Sequence, residues 1–402
     1  MRRISAFLLI LFVQVAAGIS AEPAQLPDTT PWNVEQLNKE PKYQWITQQG
    51  NVHSLSFAGE PYKGMPTRVF AYYASPATLG KQTVRGKTPG IVLVHGGGGA
   101  AFSEWAKLWA GRGYAAIAMD LAGRGAGRMP LKDGGPDQTD RDKFAAIDGP
   151  IKDQWSYHAV ANVVIAHSLL LSLEEVDAER TALTGISWGG YLTCIVAGID
   201  QRFKVAMPVY GCGFLCENSA WVPSQFERMK WEQVEKWNML WDPSQYIGSA
   251  TMPIMFLNGT NDFAYPMDSY AKTVALVRSE KNFSIQLQMR HGHIFDFPEF
   301  FLFIDQYIKG ATPMPVVATP EFANGQLSAR VKTATKLVSA RLHYTTGPHR
   351  ENKSRKWISM PLAVDGNKIQ GKAAPAEATV WYVDVTDERD ALVSSQVMIA
   401  AP

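Results

Sequence analysis

The run Gly185-Ile186-Ser187-Trp188-Gly189 sets a serine between two glycines. A serine hydroxyl is a weak nucleophile, and it becomes effective when a tight turn offers it to a base with only small groups beside it. Upstream stands His95-Gly96-Gly97-Gly98-Gly99, a glycine run that lets backbone come close to a reacting atom. Backbone N–H groups aimed at a tetrahedral oxyanion stabilise it, and the N–H of Trp188 together with that of Gly97, or of Gly98 in its place, would form such a pair. Downstream come Asn258-Gly259-Thr260-Asn261-Asp262 and then His291-Gly292-His293, which complete the chain order serine, acid, histidine. Asp262 would orient and charge-stabilise a base. Either histidine can be that base, the other then lining or bracing the site. The chemistry these types imply is acyl transfer through a covalent serine ester.

Two nearby groups have plainer readings. Asp268 falls inside an expected helix and is a helix-start charge. His95 precedes the serine and is expected to fix its loop by hydrogen bonding rather than to act as base.

Rival chemistries lack their parts. No Gly-Lys-Ser/Thr follows the glycine run, so a phosphate loop is not expected, and Gly123-x-Gly125-x-Gly127 has its third glycine misplaced for a dinucleotide fingerprint. No Cys/His set has zinc-site spacing. No cofactor and no metal is implied. Lys+Arg 39 against Asp+Glu 37 leaves a formal charge of +2 with no basic cluster, which argues against nucleic acid as a partner.

The elements that must position these groups read as an α/β chain. Near-continuous apolar runs at Ile91 to Val94, Ala115 to Met119, Thr181 to Thr184, Val205 to Val209 and Ile254 to Leu257 are expected strands buried on both faces, with Phe283 to Gln288 a sixth. Helices are expected over Trp155 to Leu173, Gly190 to Ala197 and Tyr270 to Val277. The serine then sits at a strand-turn-helix junction and the acid at a strand's carboxyl end. Tyr43 to Phe57 and Thr67 to Ala74 should extend the sheet at one edge as antiparallel strands. The polar, Gly-rich and Asp-rich stretch from about Gly123 to Pro150 is expected as a long ordered loop near the site's mouth.

Residues 1–21 have the layout of a cleaved secretory signal: Met1-Arg2-Arg3, an apolar run from Ala6 to Ala17, and small residues to Ala21. The expected location is secreted or periplasmic, with a mature chain starting near Glu22 and no membrane span after cleavage. A catalytic α/β domain is assigned to 22–311, with a tryptophan-rich cap inserted at about 213–249. Its rings either stack on a substrate's sugar rings or close the cap's own small core. After Thr312-Pro313-Met314-Pro315 the pattern alternates, predicting an all-β sandwich, similar to immunoglobulin-like modules, over 312–402 that supplies no triad group. The chain's 3 cysteines are too few for a disulfide scaffold, although Cys212 and Cys216 can pair across a loop in an oxidising compartment.

The elbow Gly185 to Tyr191, the Gly259-Thr260-Asn261-Asp262 turn and the Gly292-His293-x-Phe295 ending resemble the prolyl-oligopeptidase-like and acetyl xylan esterase-like branches of the α/β hydrolases, over about Gly90 to Lys309. The resemblance implies the α/β-hydrolase fold, a mostly parallel sheet flanked by helices, and a serine hydrolase cleaving carboxylic esters. Its substrate would be a small-molecule or polysaccharide ester, with an acetyl group on a polysaccharide foremost. The histidine after the glycine carries over to His293 as base. The chain departs from the pattern in having a second histidine at 291, and the segment before Gly90 is too short for a propeller domain. Exopeptidases of the resembling branch grip a free amino terminus with paired acids. The candidates here, Glu217 and Asp153, lie far apart in sequence.

Overall fold

A computed structural model describes residues 24–81, 86–347 and 352–400. The expected signal segment, 1–21, and the mature start near Glu22 lie outside the described residues. The chain runs through β1 (Tyr43–Thr47), β2 (His53–Tyr62), β3 (Met65–Ala74), β4 (Thr88–Val94), β5 (Ala115–Met119), β6 (Val176–Ile186), β7 (Val205–Val209), β8 (Ile254–Gly259) and β9 (Lys281–Gln286). These pair in the order β1-β2-β3-β5-β4-β6-β7-β8-β9. The run from β5 to β9 is parallel, while β1, β2 and β3 form the antiparallel extension, with β3 antiparallel to β5. The stretch Tyr43 to Phe57 is a hairpin of β1 and β2 rather than one strand, because the bend Gln48-Gln49-Gly50-Asn51-Val52 interrupts it, with Gly50 at a φ of 74°.

β4, β5, β7 and β8 are buried at every residue, which is why they read as unbroken apolar runs. Helices cover them: α1 (Val34–Leu37), α2 (Ser103–Gly111), α3 (Asp140–Lys143), α4 (Trp155–Ser172), α5 (Trp188–Ile199), α6 (Trp231–Trp241), α7 (Met267–Leu276) and α8 (Pro298–Lys309). α4 is apolar nearly all round because it is buried nearly all round. No helix among the described residues is long and apolar enough to cross a membrane. The chain turns outward from β4 to β5 on one side and from β4 to β6 on the other. The sheet therefore has its switch point at β4, where an open α/β sheet leaves a crevice at its strands' carboxyl ends.

The all-β domain follows as β10 (Val316–Val317), β11 (Glu321–Ala323), β12 (Gln326–Lys332), β13 (Leu337–Thr345), β14 (Ile358–Asp365), β15 (Lys368–Lys372), β16 (Val380–Asp387), β17 (Leu392–Ser394) and β18 (Met398–Ile399). All its ladders are antiparallel. β14 pairs with β13 through Ile358 to Leu362 and with β15 through Ala363 to Asp365, so the hydrogen-bonded path turns a corner within one strand. Leu327, Leu342, Ile369, Val383 and Val385 fill its interior.

This domain covers β9, the open edge of the catalytic sheet, where unpaired backbone would otherwise template association. The Ile285 N–H donates to Ser394 Oγ at 3.2 Å, Asn282 Nδ2 donates to the Pro315 carbonyl at 2.9 Å, and the Leu392 N–H donates to Glu299 Oε1 at 2.6 Å. Burial pushes the Glu299 carboxyl up to about 7 from an ordinary 4.5, against the Leu392 N–H, which favours the charged form. The folded chain therefore holds this proton more tightly than the unfolded chain does. The contribution to stability is complete below pH 4.5 and is lost as pH rises through 7, an effect of about 3 kcal/mol. Urea midpoints of Glu299→Gln should accordingly fall less than those of the parent between pH 5 and pH 8; parallel curves would refute the assignment.

Candidate active site

Five strand ends deliver the site. β6 runs into α5 through Ser187, whose φ of 61° and ψ of −119° are a conformation that a non-glycine residue adopts only when its surroundings hold it there. The Ser187 N–H is tied to the Val209 carbonyl at 2.9 Å, which locks the elbow to the end of β7. The hydroxyl lies 2.9 Å from His291 Nε2, and His291 Nδ1 lies 2.6 Å from Asp262 Oδ2. The network assigns the tautomer: Nδ1–H donates to the carboxylate, leaving Nε2 to accept from the serine. The other Asp262 oxygen, Oδ1, accepts the N–H groups of Ala264 and Tyr265, both at 2.8 Å, so the acid has no freedom to turn away.

His293 does not stand where the sequence expectation put it. Its Nε2 accepts the Gly96 N–H at 3.0 Å, and its ring rests against Phe102 and Trp105 at centroid distances of 5.2 and 5.9 Å. Burial lowers its pKa, with His291 adding to the effect, so it remains a neutral acceptor. The physical reason lies in β7's end. The Tyr210 hydroxyl holds the Arg290 carbonyl at 2.8 Å, and its ring stacks on His291 at 4.3 Å and 21°. That pins His291 toward Asp262, and two residues later His293 faces the glycine loop instead.

The loop after β4 behaves as its glycines suggest. A Cβ on Gly96 would meet the Ile186 carbonyl at 2.6 Å and Ser187 Cβ at 2.9 Å, and one on Gly97 would meet Trp188 Cδ1 at 2.9 Å. The Gly96 and Gly99 N–H groups are already spent, on His293 and on the Gly96 carbonyl. Trp188 opens α5, where an N–H has no acceptor within the helix. The N–H groups of Trp188 and of Gly97, with Gly98 next in line, thus remain the candidate oxyanion donors. His95 is a loop clamp: Nε2 accepts the Leu121 N–H at 3.0 Å and Nδ1 faces the Gly96 carbonyl at 2.8 Å.

Aromatic rings from three segments roof the elbow. Trp188 packs against Phe144 of the Gly-rich loop at 5.9 Å, Trp155 at 5.6 Å and Trp221 of the inserted segment at 4.6 Å. Trp237 and Trp241 are fully buried, so these two close the insertion's own core. Trp231 is exposed, and Trp221, half-buried, is the tryptophan of this insertion that meets the elbow. Cys194, Cys212 and Cys216 are all free thiols, and Cys216 Sγ accepts from Asn238 Nδ2 at 2.8 Å instead of pairing with Cys212.

Tyr210, Tyr265 and Asn352 were not legible as site residues. Asn352, from the loop between β13 and β14 of the all-β domain, donates through Nδ2 to the Asp262 carbonyl. The all-β domain supplies no triad side chain, yet it touches the acid's backbone.

A family model described as the prolyl oligopeptidase family matches residues 148–301, the stretch containing Ser187, Asp262 and His291. Among solved structures, an acetyl xylan esterase from Paenibacillus sp. R4 is 22% identical with a TM-score of 0.55, over 68% of this chain and 92% of that one. Acetyl xylan esterase 1 from Thermoanaerobacterium sp. JW/SL YS485 is 16% identical with a TM-score of 0.52, over 70% and 95%. A Pyrococcus horikoshii acylaminoacyl peptidase is 18% identical with a TM-score of 0.50, over 66% of this chain and 43% of that one. No protein of curated function matches the sequence.

Proposed function

From the premise that this chain is an α/β hydrolase with acetyl xylan esterase-like relatives, we propose that it is an exported serine hydrolase that removes acyl groups, acetyl foremost, from small or polysaccharide esters. The observation that carries the reading is His291 set between Ser187 at 2.9 Å and Asp262 at 2.6 Å. In this scheme His291 Nε2 takes the Ser187 proton as Oγ attacks the ester carbonyl. The Trp188 and Gly97 N–H groups hold the oxyanion, and the imidazolium, steadied by Asp262, protonates the departing alkoxide. Water, deprotonated by His291, then releases the acid and restores the serine.

Preference for esters over peptides is supported by what the candidate amine-gripping acids do. Glu217 is paired with the Lys272 ammonium, and Asp153 Oδ1 accepts the Lys63 N–H at 2.8 Å. Beside the elbow the half-buried Trp221, packed on the buried Trp188 and Tyr265 at 4.6 and 5.3 Å, presents an aromatic, uncharged side chain. A panel of acetylated sugars, an aryl acetate, longer acyl esters and dipeptidyl amides tests this. The acetyl esters should exceed any aminoacyl amide in kcat/KM by at least about a hundredfold, roughly 2.7 kcal/mol of transition-state discrimination, with all turnover lost in Ser187→Ala. Comparable amide cleavage, equally dependent on Ser187, would make the chain a peptidase, the activity named in the family model it matches.

A further inference from the structure

Tyr265 carries a hydroxyl that the fold leaves unused. The residue is fully buried, and its phenolic oxygen has no hydrogen-bond partner among the described residues. The ring has little room to escape this position. Its own N–H is held by Asp262 Oδ1 at 2.8 Å and its carbonyl by Asn258 Nδ2 at 3.1 Å. Its face meets Trp221 edge-on at 5.3 Å and runs parallel to the His291 ring at 6.4 Å and 10°. Ser187 is close enough to perturb the phenol, yet the two hydroxyls miss hydrogen-bond geometry in the resting site. Burial, reinforced by Cys212 and Asp262, holds the phenol's pKa well above its ordinary value, so it stays protonated and keeps a hydrogen to donate. Burying an orphaned hydroxyl costs stability, and such a group beside a nucleophile calls for a use.

The use follows from the second half of the reaction and rests on the acyl-enzyme reading above. Ser187 Oγ donates its own hydrogen to His291 in the resting site and keeps lone pairs for a second donor. In the acyl-enzyme Oγ is an ester oxygen with no hydrogen. Water adds to the acyl carbon, its proton passing to His291. The bond from carbon to Oγ then breaks, the electron pair goes to Oγ, and the proton returns from His291. We propose that Tyr265 is a further catalytic residue, donating its hydroxyl hydrogen bond to Ser187 Oγ as that oxygen leaves during deacylation. The phenol keeps its proton throughout, and its donation supports the charge that builds on Oγ before His291 delivers the proton.

Tyr265→Phe tests this with little risk to folding, since the hydroxyl it removes has no hydrogen-bond partner among the described residues. With an aryl acetate, whose acylation is fast, kcat should fall by about tenfold to a hundredfold. The first-turnover burst should persist, and the acetylated enzyme should accumulate on Ser187 by intact-protein and peptide mass spectrometry, with a melting temperature equal to or above that of the parent. A purely structural tyrosine predicts the reverse, unchanged kcat and a lower melting temperature. A kcat within twofold of the parent, or a loss that falls on the burst with no acetyl-enzyme accumulating, overturns the proposal. If the parent itself forms no Ser187 ester and its turnover survives Ser187→Ala, the hydrolase reading fails first and takes this role with it.

Discussion

His291→Ala should lower kcat on an aryl acetate by at least about ten-thousandfold, some 5.4 kcal/mol of transition-state stabilisation, with KM changed little. The imidazole alone spans the 2.9 Å to Ser187 Oγ and the 2.6 Å to Asp262 Oδ2, so alanine removes the proton acceptor of one step and the proton donor of the next. His293→Ala should behave differently. It removes the acceptor of the Gly96 N–H at 3.0 Å and some packing against Phe102, which loosens the glycine loop without touching the proton path. A displaced oxyanion donor costs less than a deleted one, so a fall of about tenfold to a hundredfold is expected. Steady-state kinetics on both variants, with circular dichroism to check folding, decide the matter. A larger loss in His293→Ala would return the role of base to His293.

The second large effect is on the fold. A Cβ at position 211 would lie 1.9 Å from the Tyr191 nitrogen, 2.2 Å from the Gly190 carbonyl carbon and 2.7 Å from Tyr191 Cα. All three are backbone atoms of α5, so no side chain can rotate to make room. Gly211→Ala must instead drive the start of α5 away from the end of β7. Overpacking of this kind costs about 3 kcal/mol or more, and the shift carries Ser187 with it, away from the Val209 carbonyl that holds the elbow. A melting temperature lowered by several degrees, and kcat/KM reduced more than about a hundredfold at temperatures where the variant is still folded, are expected. Gly111→Ala is the control: its Cβ would meet nothing within 4 Å and it closes a helix, so stability should hold or rise slightly. Equal melting temperatures for the two variants would show that α5 and β7 can part at no cost.

Much of this architecture was open to reading because it is local. A strand buried on both faces must be apolar throughout, so β4, β5, β7 and β8 announce themselves, and glycines at 185, 189 and 96 mark where backbone meets backbone. Serine and acid were legible because each sits within a few residues of the strand that aims it. Boundaries were less so. β6 starts at Val176, earlier than the apolar run suggested, because its first residues lie where the strand is only partly covered.

What the sequence determined by itself, then, was the α/β-hydrolase fold, the candidate nucleophile Ser187, the candidate acid Asp262 and the glycine loop facing Trp188, each encoded by neighbours along the chain. The choice between His291 and His293 was not encoded that way. A single glycine separates them, and the direction each ring takes depends on Tyr210 at the end of β7 and on Gly96 after β4, residues roughly eighty and two hundred positions away in sequence. The same holds for the orphaned Tyr265 hydroxyl, for Trp237 and Trp241 turned into the core rather than the cleft, and for Asn352 reaching the Asp262 backbone from the all-β domain. A side chain's direction is a balance of contacts with whatever the tertiary fold brings beside it, and residue type and spacing along the chain do not contain that information.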